Sequence, residues 1–233
     1  MNGCEIKLSQ GLIAITPSTG KTILLVAGGR KPKTKWLQAL DAGYTIYAAD
    51  RGMDYCLEAG RMPYALYGDK DSGALSSWKK AKEENIICKT FSPEKDDTDL
   101  QLLLSDLPEK TNILATGIWG GRFDHLYANI FSLLAYKKEK QAQVVMADEK
   151  EVLVLLIVKD SVKLVLTVKP SAISLLPMAK ESTVSIEGVK WPLEKAVLKK
   201  DKPYAISNEA LGKEIIVQCH TGEIGLYLNF EGD

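Results

Sequence analysis

The fold can be inferred most directly from the stretch Tyr64-Ala-Leu-Tyr-Gly-Asp-Lys-Asp-Ser72. Its apolar run ends at Gly68, and two aspartates, Asp69 and Asp71, follow. The pattern predicts a strand that delivers two carboxylates into the loop at its carboxyl end, where open α/β sheets bind ligands. Carboxylates this close repel each other unless a cation separates them, and Mg²⁺ suits such a pair because it also accepts phosphate oxygens. A polar turn is the alternative, since Gly and Asp are common turn residues.

The composition is that of a globular protein without a strong charge bias. Of 233 residues, 45% are hydrophobic, and the 30 basic residues balance the 30 acidic ones. Without a basic surplus, we do not expect nucleic-acid binding. The four cysteines have no CxxC spacing, which argues against a zinc site and a disulfide framework. No signal-peptide pattern or membrane-spanning apolar run is visible, so we expect a cytoplasmic protein.

Alternating strand and helix patterns predict an α/β domain with a mostly parallel sheet over residues 1–147. Several predicted strands end at glycines, arginines or acids, which are residue types that bind phosphates or ribose hydroxyls at strand ends. Ordinary turns and surface loops remain the alternatives. The candidates in the first two of these loops are Gly28, Gly29, Arg30, Asp50 and Gly52.

A second acidic cluster precedes an apolar helical run. Thr98 and Gln101 have the spacing of a capping box, so helix capping alone would explain acids at this helix start. Asp96 and Asp99 are three residues apart, however, and can share one side of the helix start. They are therefore also candidates for metal binding.

A glycine-rich loop comes before a strongly predicted helix that starts at Phe123. A loop of this kind with an arginine at a helix N-terminus is a typical anion site. Asp124 lies in the first turn, and Asn129 follows on the same side. The candidates in the loop itself are Gly120, Gly121 and Arg122.

From about Val144 the helical period gives way to short alternating runs. They predict an all-β, sandwich-like domain over residues 148–233. Trp191 lies beside a proline, and Ser207 and Asn208 lie in a polar stretch. A core or turn role is the usual explanation for such residues, so their chemistry alone assigns no function to them.

Six motifs in order make the chain resemble the thiamine pyrophosphokinase family over almost its whole length. They are Gly68-Asp-Lys-Asp-Ser72, Asp96-Asp-Thr-Asp99, Gly120-Gly-Arg-Phe-Asp-His125 with Asn129, Ser174-Leu-Leu-Pro177, Gly188-Val-Lys-Trp-Pro-Leu193 and Ser207-Asn-Glu209.

The resemblance implies a nucleotide- and metal-binding catalytic α/β domain and a β-sandwich domain for thiamine binding and dimerisation. It implies transfer of a diphosphate group from Mg-ATP to the hydroxyl of thiamine, leaving AMP. The enzyme would be a homodimer with thiamine held between subunits. ATP would be the co-substrate and Mg²⁺ the cofactor.

The resemblance also implies roles for individual residues. The implied metal ligands are Asp69, Asp71, Asp96 and Asp99, and the implied catalytic residues are Asp71, Asp99 and Arg122. The implied substrate-binding residues are Gly28, Gly29, Arg30, Asp50, Gly52, Thr98, Gly120, Gly121, Asp124, Asn129, Trp191, Ser207 and Asn208.

Two positions depart from the family pattern. Arg51 stands where the family usually has glycine, and an arginine adopts a positive φ less readily. Either the contacts of this turn differ, or Arg51 adds a cation that faces phosphate. Lys70 replaces an apolar residue between the paired aspartates. It either weakens the metal site or points to solvent.

Two other functions remain open from the sequence. An Asp-x-Asp after a strand is also the metal site of many nucleotide-sugar transferases. A nucleotide- or thiamine-binding module without turnover is the second alternative. It is disfavoured because clustered carboxylates would repel a polyphosphate in the absence of a metal.

Overall fold

The structure is a computed structural model that describes residues 3–68, 75–92 and 96–231, without the side chains of residues 75 and 76. Two compact units are present, Gly20–Asp148 and a second unit formed by Met1–Thr19 with Glu149–Asp233. The assignment of residues 1–19 to the α/β domain is therefore corrected. The physical reason is a strand, Gly11–Thr16, that pairs with Ser161–Leu166 of the C-terminal half.

The described residues form strands and helices that alternate in the first half and give way to strands alone in the second. In chain order they are β1 (Cys4–Leu8), β2 (Gly11–Thr16), β3 (Thr22–Val26), α1 (Thr34–Ala39), β4 (Ile46–Ala49), α2 (Gly52–Glu58), β5 (Ala65–Gly68), α3 (Leu75–Glu83), β6 (Ile87–Thr90), α4 (Asp99–Asp106), β7 (Asn112–Thr116), α5 (Phe123–Lys140), β8 (Val144–Ala147), β9 (Glu151–Ile157), β10 (Ser161–Leu166), β11 (Ala172–Pro177), β12 (Glu181–Glu187), β13 (Leu193–Lys199), β14 (Glu214–Thr221) and β15 (Glu223–Asn229).

The Gly20–Asp148 unit is built on a parallel sheet, as predicted. The strand order is β8-β7-β3-β4-β5-β6, and each neighbouring pair is parallel. Every residue of β5, β7 and β8 is buried, which explains their near-continuous apolar sequences. The chain runs outward from β3 to β6 and then returns to the other side of β3 with β7. The carboxyl ends of β3 and β7 therefore flank the topological switch point of this sheet.

Local contacts and backbone conformation set where two helices of this unit, α4 and α5, begin or end. The predicted capping box at α4 is present, since Gln101 N donates to Thr98 Oγ1 and Thr98 N donates to Gln101 Oε1. Helix α5 begins at Phe123 as predicted and continues to Lys140. It stops there because Gln141 adopts a left-handed conformation with φ of 51°.

The second unit consists of antiparallel strands. One sheet has the order β1-β2-β10-β14-β12-β13, and β11, β15 and β9 pair side by side in a second. Strands β12 and β14 pack against β15 and β9, so buried side chains lie between the sheets. Strands β1, β2 and β13 were not predicted. Among the described residues, no helix is long and apolar enough to cross a bilayer.

Gly52 gives a test of how closely α2 approaches the sheet. It is buried at the start of α2, and a Cβ there would lie 1.9 Å from the carbonyl oxygen of Val26 in β3. We expect Gly52→Ala to lower the free energy of unfolding by about 3 kcal/mol, because backbone must move to relieve the overlap. Gly212→Ala is the matched control, since a Cβ there meets nothing within 4 Å. Equal urea midpoints for the two variants would contradict this packing.

Candidate active site

A cavity of about 700 Å³ opens at the switch point of the parallel sheet. Its walls come from the loops after β3, β4 and β7 and from the first turns of α4 and α5; we call it the switch-point cavity. The sequence-predicted residues that line it are Gly28, Gly29, Asp50, Thr98, Asp99, Gly120, Gly121, Arg122, Asp124 and Asn129. Arg51 and His125, which carried no site assignment, line it as well.

Several predicted site residues are placed elsewhere. Arg30 donates from Nε and Nη2 to Asp148 Oδ2, at 2.9 and 2.6 Å, and Asp148 is fully buried. The phosphate contact predicted for Arg30 is therefore replaced by an ion pair that ties the β3 loop to the residue after β8. Gly52 packs against β3 and does not line the cavity. Asp69 and Asp71 lie outside the described residues.

The two glycine-containing loops of the cavity are held together through their backbones. Gly29 N donates to Gly117 O at 2.6 Å, and Arg30 N donates to Trp119 O at 2.5 Å. A Cβ at Gly29 would lie 2.6 Å from Gly117 O, so only glycine allows this approach. Because the N–H groups of Gly29 and Arg30 are already bonded, neither is available to a phosphate, and the β3 loop forms a wall of the cavity.

Tyr55 of α2 is a positioning residue that the sequence did not reveal. Its hydroxyl donates to Gly29 O at 2.8 Å, which ties the β3 loop to α2. Burial raises the pKa of Tyr55, while the charge of Arg51 lowers it to a smaller extent. The hydroxyl therefore stays protonated as a donor at neutral pH. The signal in the sequence was only its position one turn after the Asp50–Gly52 loop.

The loop before α5 carries the charged groups on the far side of the cavity. Gly120 and Gly121 have φ of 70° and 68°, a conformation that favours glycine. Arg122 donates from Nε and Nη2 to the two carboxylate oxygens of Asp124, at 3.1 and 2.5 Å. This hydrogen bonding holds the pKa of Asp124 below its ordinary value. Both side chains are exposed, so a ligand anion can compete with Asp124 for the guanidinium.

Carboxylates converge on the cavity from two further elements. Asp50 follows β4, and Asp99 opens α4; both line the cavity and are partly exposed. Asp50 N donates to Tyr67 O at 2.9 Å, and a Cβ at Gly68 would lie 3.0 Å from Asp50 Oδ1. Asp50 is therefore held beside Gly68, the last residue of β5. Gly68 directly precedes Asp69 in the sequence.

The carboxylate oxygens that line the switch-point cavity are hard donors, which is the kind of ligand that Mg²⁺ prefers. Within residues 3–68, 75–92 and 96–231, no three His, Cys, Asp or Glu side chains are grouped closely enough to hold a metal ion. The predicted ligand set, however, includes Asp69 and Asp71, which lie outside those ranges. Asp96 is exposed just before α4 and does not line the cavity.

A second cavity, of about 410 Å³, lies in the sandwich unit; we call it the sandwich cavity. Trp191, Ser207 and Asn208, all predicted site residues, line it together with Tyr204. The side chain of Trp191 is largely exposed, unlike the usual core tryptophan. An aromatic face open to a cavity can stack on a flat ligand.

Asn208, at the wall of the sandwich cavity, bonds through its side-chain amide to the backbone of Trp191. Asn208 Oδ1 accepts from Trp191 N at 3.1 Å, and Asn208 Nδ2 donates to Trp191 O at 2.8 Å. The resemblance implied that Asn208 binds the substrate, and these contacts give it in addition a positioning role for Trp191. Lys190 lies over the indole, 4.6 Å from its centroid, and pairs with Glu209 at 2.8 Å.

Comparison with known proteins gives two matches to one family. The family model for the thiamin pyrophosphokinase catalytic domain matches residues 37–146, within the unit that contains the switch-point cavity. The model for the thiamin pyrophosphokinase vitamin B1 binding domain matches residues 162–224, which include Trp191, Ser207 and Asn208.

Individual relatives agree with this assignment. Thiamine pyrophosphokinase of Bacillus subtilis is 29% identical over 195 residues, or 82% of this chain and 90% of the relative. Thiamin pyrophosphokinase 1 of Caenorhabditis elegans is 29% identical over 174 residues, or 70% and 68% of the two chains. The crystal structure of the Bacillus subtilis thiamine pyrophosphokinase gives a TM-score of 0.78 at 24% identity, over 91% of this chain and 100% of that one. This structural match shows the same fold.

The Arg122–Asp124 pair predicts a measurable titration. In Arg122→Gln we expect the pKa of Asp124 to rise towards its ordinary value, because the arginine hydrogen bond is the largest cause of its lowering. A carboxyl group whose pKa is lowered by folding stabilises the folded state at pH values above its unfolded-state pKa. That stabilisation is lost as the pH falls through the folded-state pKa. Carboxyl-carbon NMR titration measures the shift. Lys82→Gln, which removes an exposed cation elsewhere, should leave it unchanged; an unchanged pKa in Arg122→Gln would contradict the pairing.

Proposed function

Because the chain belongs to the thiamin pyrophosphokinase family, we propose that it transfers a diphosphate group from ATP to the hydroxyl of thiamine, giving thiamine diphosphate and AMP. The observation that carries this proposal is the ordered match of both family models, each to a unit that contains a polar or aromatic cavity. The relatives are pyrophosphokinases, so a nucleotide-sugar transferase and a non-catalytic binding module are not favoured.

The switch-point cavity would hold the phosphates. Diphosphate transfer depends mainly on positioning and on neutralising charge, and the protein needs little covalent chemistry of its own. Arg122 would exchange its bond to Asp124 for phosphate oxygens, since a guanidinium binds both types of oxyanion through the same fork. Asp99 or Asp71 would orient the thiamine hydroxyl. Orientation is favoured over early proton removal because a carboxylate is a weak base for an alcohol.

Mg²⁺ is part of the proposal because the donor atoms of the cavity suit it. Asp99 of the cavity, together with Asp69 and Asp71, would hold the ion, and Asp96, which does not line the cavity, stays a predicted ligand. When bound, it would neutralise the phosphate charge that these carboxylates otherwise repel. Asp50, fixed by its backbone bond to β5, would contact the nucleotide.

The sandwich cavity would bind thiamine. Trp191, whose backbone is held by two hydrogen bonds with Asn208, would stack on the aminopyrimidine ring. Ser207 would face the edge of that ring. We further propose a homodimer in which the α/β unit of one subunit and the sandwich unit of its partner serve the same reaction. The cytoplasm is the proposed compartment.

The reaction is tested by incubating the protein with ATP, Mg²⁺ and thiamine and separating the products by chromatography. Thiamine diphosphate and AMP should form in equal amounts. ADP with thiamine monophosphate would show a different transfer at the same site. Thermal protection by a UDP-sugar but not by ATP would favour the transferase alternative, and binding of both substrates without AMP would favour the binding module.

Asp99 provides the sharpest variant in this assay. We expect Asp99→Asn to keep its thermal unfolding temperature and to lose turnover by about 100-fold or more, because a charged group that acts on the phosphates is removed. Asp97→Asn is the matched control, since Asp97 is an exposed neighbour that does not line the cavity. Similar turnover in the two variants would remove Asp99 from the mechanism.

Trp191 tests the thiamine side separately. In Trp191→Ala we expect the KM for thiamine to rise at least about 10-fold, because stacking on an aromatic face is lost, with little change in the KM for ATP. Trp191→Phe should recover part of the affinity. Equal increases in both KM values would show instead that Trp191 supports the fold.

A further inference from the structure

Arg51 differs from the other arginines near the switch-point cavity in whether its guanidinium is paired with a carboxylate. Arg30 is paired with the buried Asp148, and Arg122 is paired with Asp124. With the residues that the structure describes, the guanidinium of Arg51 forms no hydrogen bond or ion pair. It lines the cavity and is exposed. Its charge is therefore available to a ligand without breaking a described contact.

The backbone accommodates an arginine here without strain. The left-handed conformation of this turn falls on Asp50, with φ of 53°, and aspartate tolerates it better than most residues. Arg51 itself has φ of −62° and ψ of −12°, an ordinary right-handed conformation. An arginine at this position therefore places no strain on the turn.

The surroundings of Arg51 hold its backbone in a fixed place at the cavity wall. A Cβ at Gly28 would lie 3.2 Å from Arg51 N and 3.5 Å from Arg51 Cβ, so the β3 loop packs directly against this residue. Tyr55, one turn later in α2, bonds to the carbonyl of Gly29 in the same loop. Burial raises the pKa of Tyr55, and the nearby positive charge of Arg51 opposes that rise to a smaller extent.

We propose that Arg51 binds the phosphate chain of the nucleotide through its guanidinium and so selects nucleotides by their number of phosphates. This inference rests on the proposed function, because it assumes that a nucleoside triphosphate occupies the switch-point cavity. The acids that line the cavity, Asp50 and Asp99, would repel a polyphosphate. Arg51 offsets that repulsion from the loop after β4, and its planar fork matches phosphate oxygens.

The test measures equilibrium binding of ATP, AMP and adenosine to the full chain by calorimetry, with Mg²⁺ present and thiamine absent so that no transfer occurs. In Arg51→Gln we expect affinity for ATP to fall about 10-fold, as for one lost charge-assisted hydrogen bond. The loss should be smaller for AMP and absent for adenosine. Arg51→Lys should recover part of the ATP affinity, because the charge returns without the fork.

Lys82→Gln is the matched control, because it removes one exposed cation of the same unit that does not line the cavity. It should leave all three affinities unchanged. Unchanged ATP affinity in Arg51→Gln, or an equal loss for ATP and adenosine, would overturn the proposal. If the unaltered protein binds ATP but forms no thiamine diphosphate, the proposed function fails alone. If it forms product while Arg51→Gln binds ATP normally, the Arg51 inference fails alone. If the unaltered protein binds no ATP, both fail.

Discussion

The candidate site depends on a contact between two backbones. At the switch point, the loops after β3 and β7 would diverge, because the chain continues from these strands in opposite directions across the sheet. The bonds from Gly29 and Arg30 to Gly117 and Trp119 hold them together. No side chain can replace these bonds, and a side chain at Gly29 would prevent them.

Because of this contact between the two loops, the affinity of the site for anions has to come from groups other than the N–H groups of Gly29 and Arg30. A glycine-rich loop after a strand usually offers free N–H groups to a phosphate. Here the N–H groups of Gly29 and Arg30 are already used, and the guanidinium of Arg30 is used by Asp148. The positive charge that faces the cavity therefore belongs to side chains of other loops. The glycines give shape to the site, and the arginines beyond them give it charge.

The sequence was sufficient for features that depend on local spacing. Buried runs predicted the parallel strands, and the spacing of Thr98 and Gln101 predicted the capping box that the structure contains. The loops that form the switch-point cavity were also recognised, because each follows a predicted strand. Their assembly into one cavity follows from the parallel order of those strands, whose carboxyl ends lie at one edge.

Features that depend on distant partners could not be predicted from spacing. Nothing near Arg30 in the sequence indicates that Asp148 accepts its hydrogen bonds, and nothing near Asn208 distinguishes a ligand contact from a clamp on Trp191. The same holds for β2, whose partner β10 is far along the chain. The weak pattern of the first residues was therefore read as part of the wrong domain.

The pairing of β2 with β10 also has a consequence for protein synthesis. As the chain leaves the ribosome, the β1–β2 hairpin is made before the Gly20–Asp148 unit, whereas β10, the strand that must lie beside β2, is translated only after that unit. The parallel sheet can thus form while the hairpin still presents an open edge. Such an edge is prone to pair with other chains. The order of translation therefore leaves the β2 edge unpaired until β10 has been made.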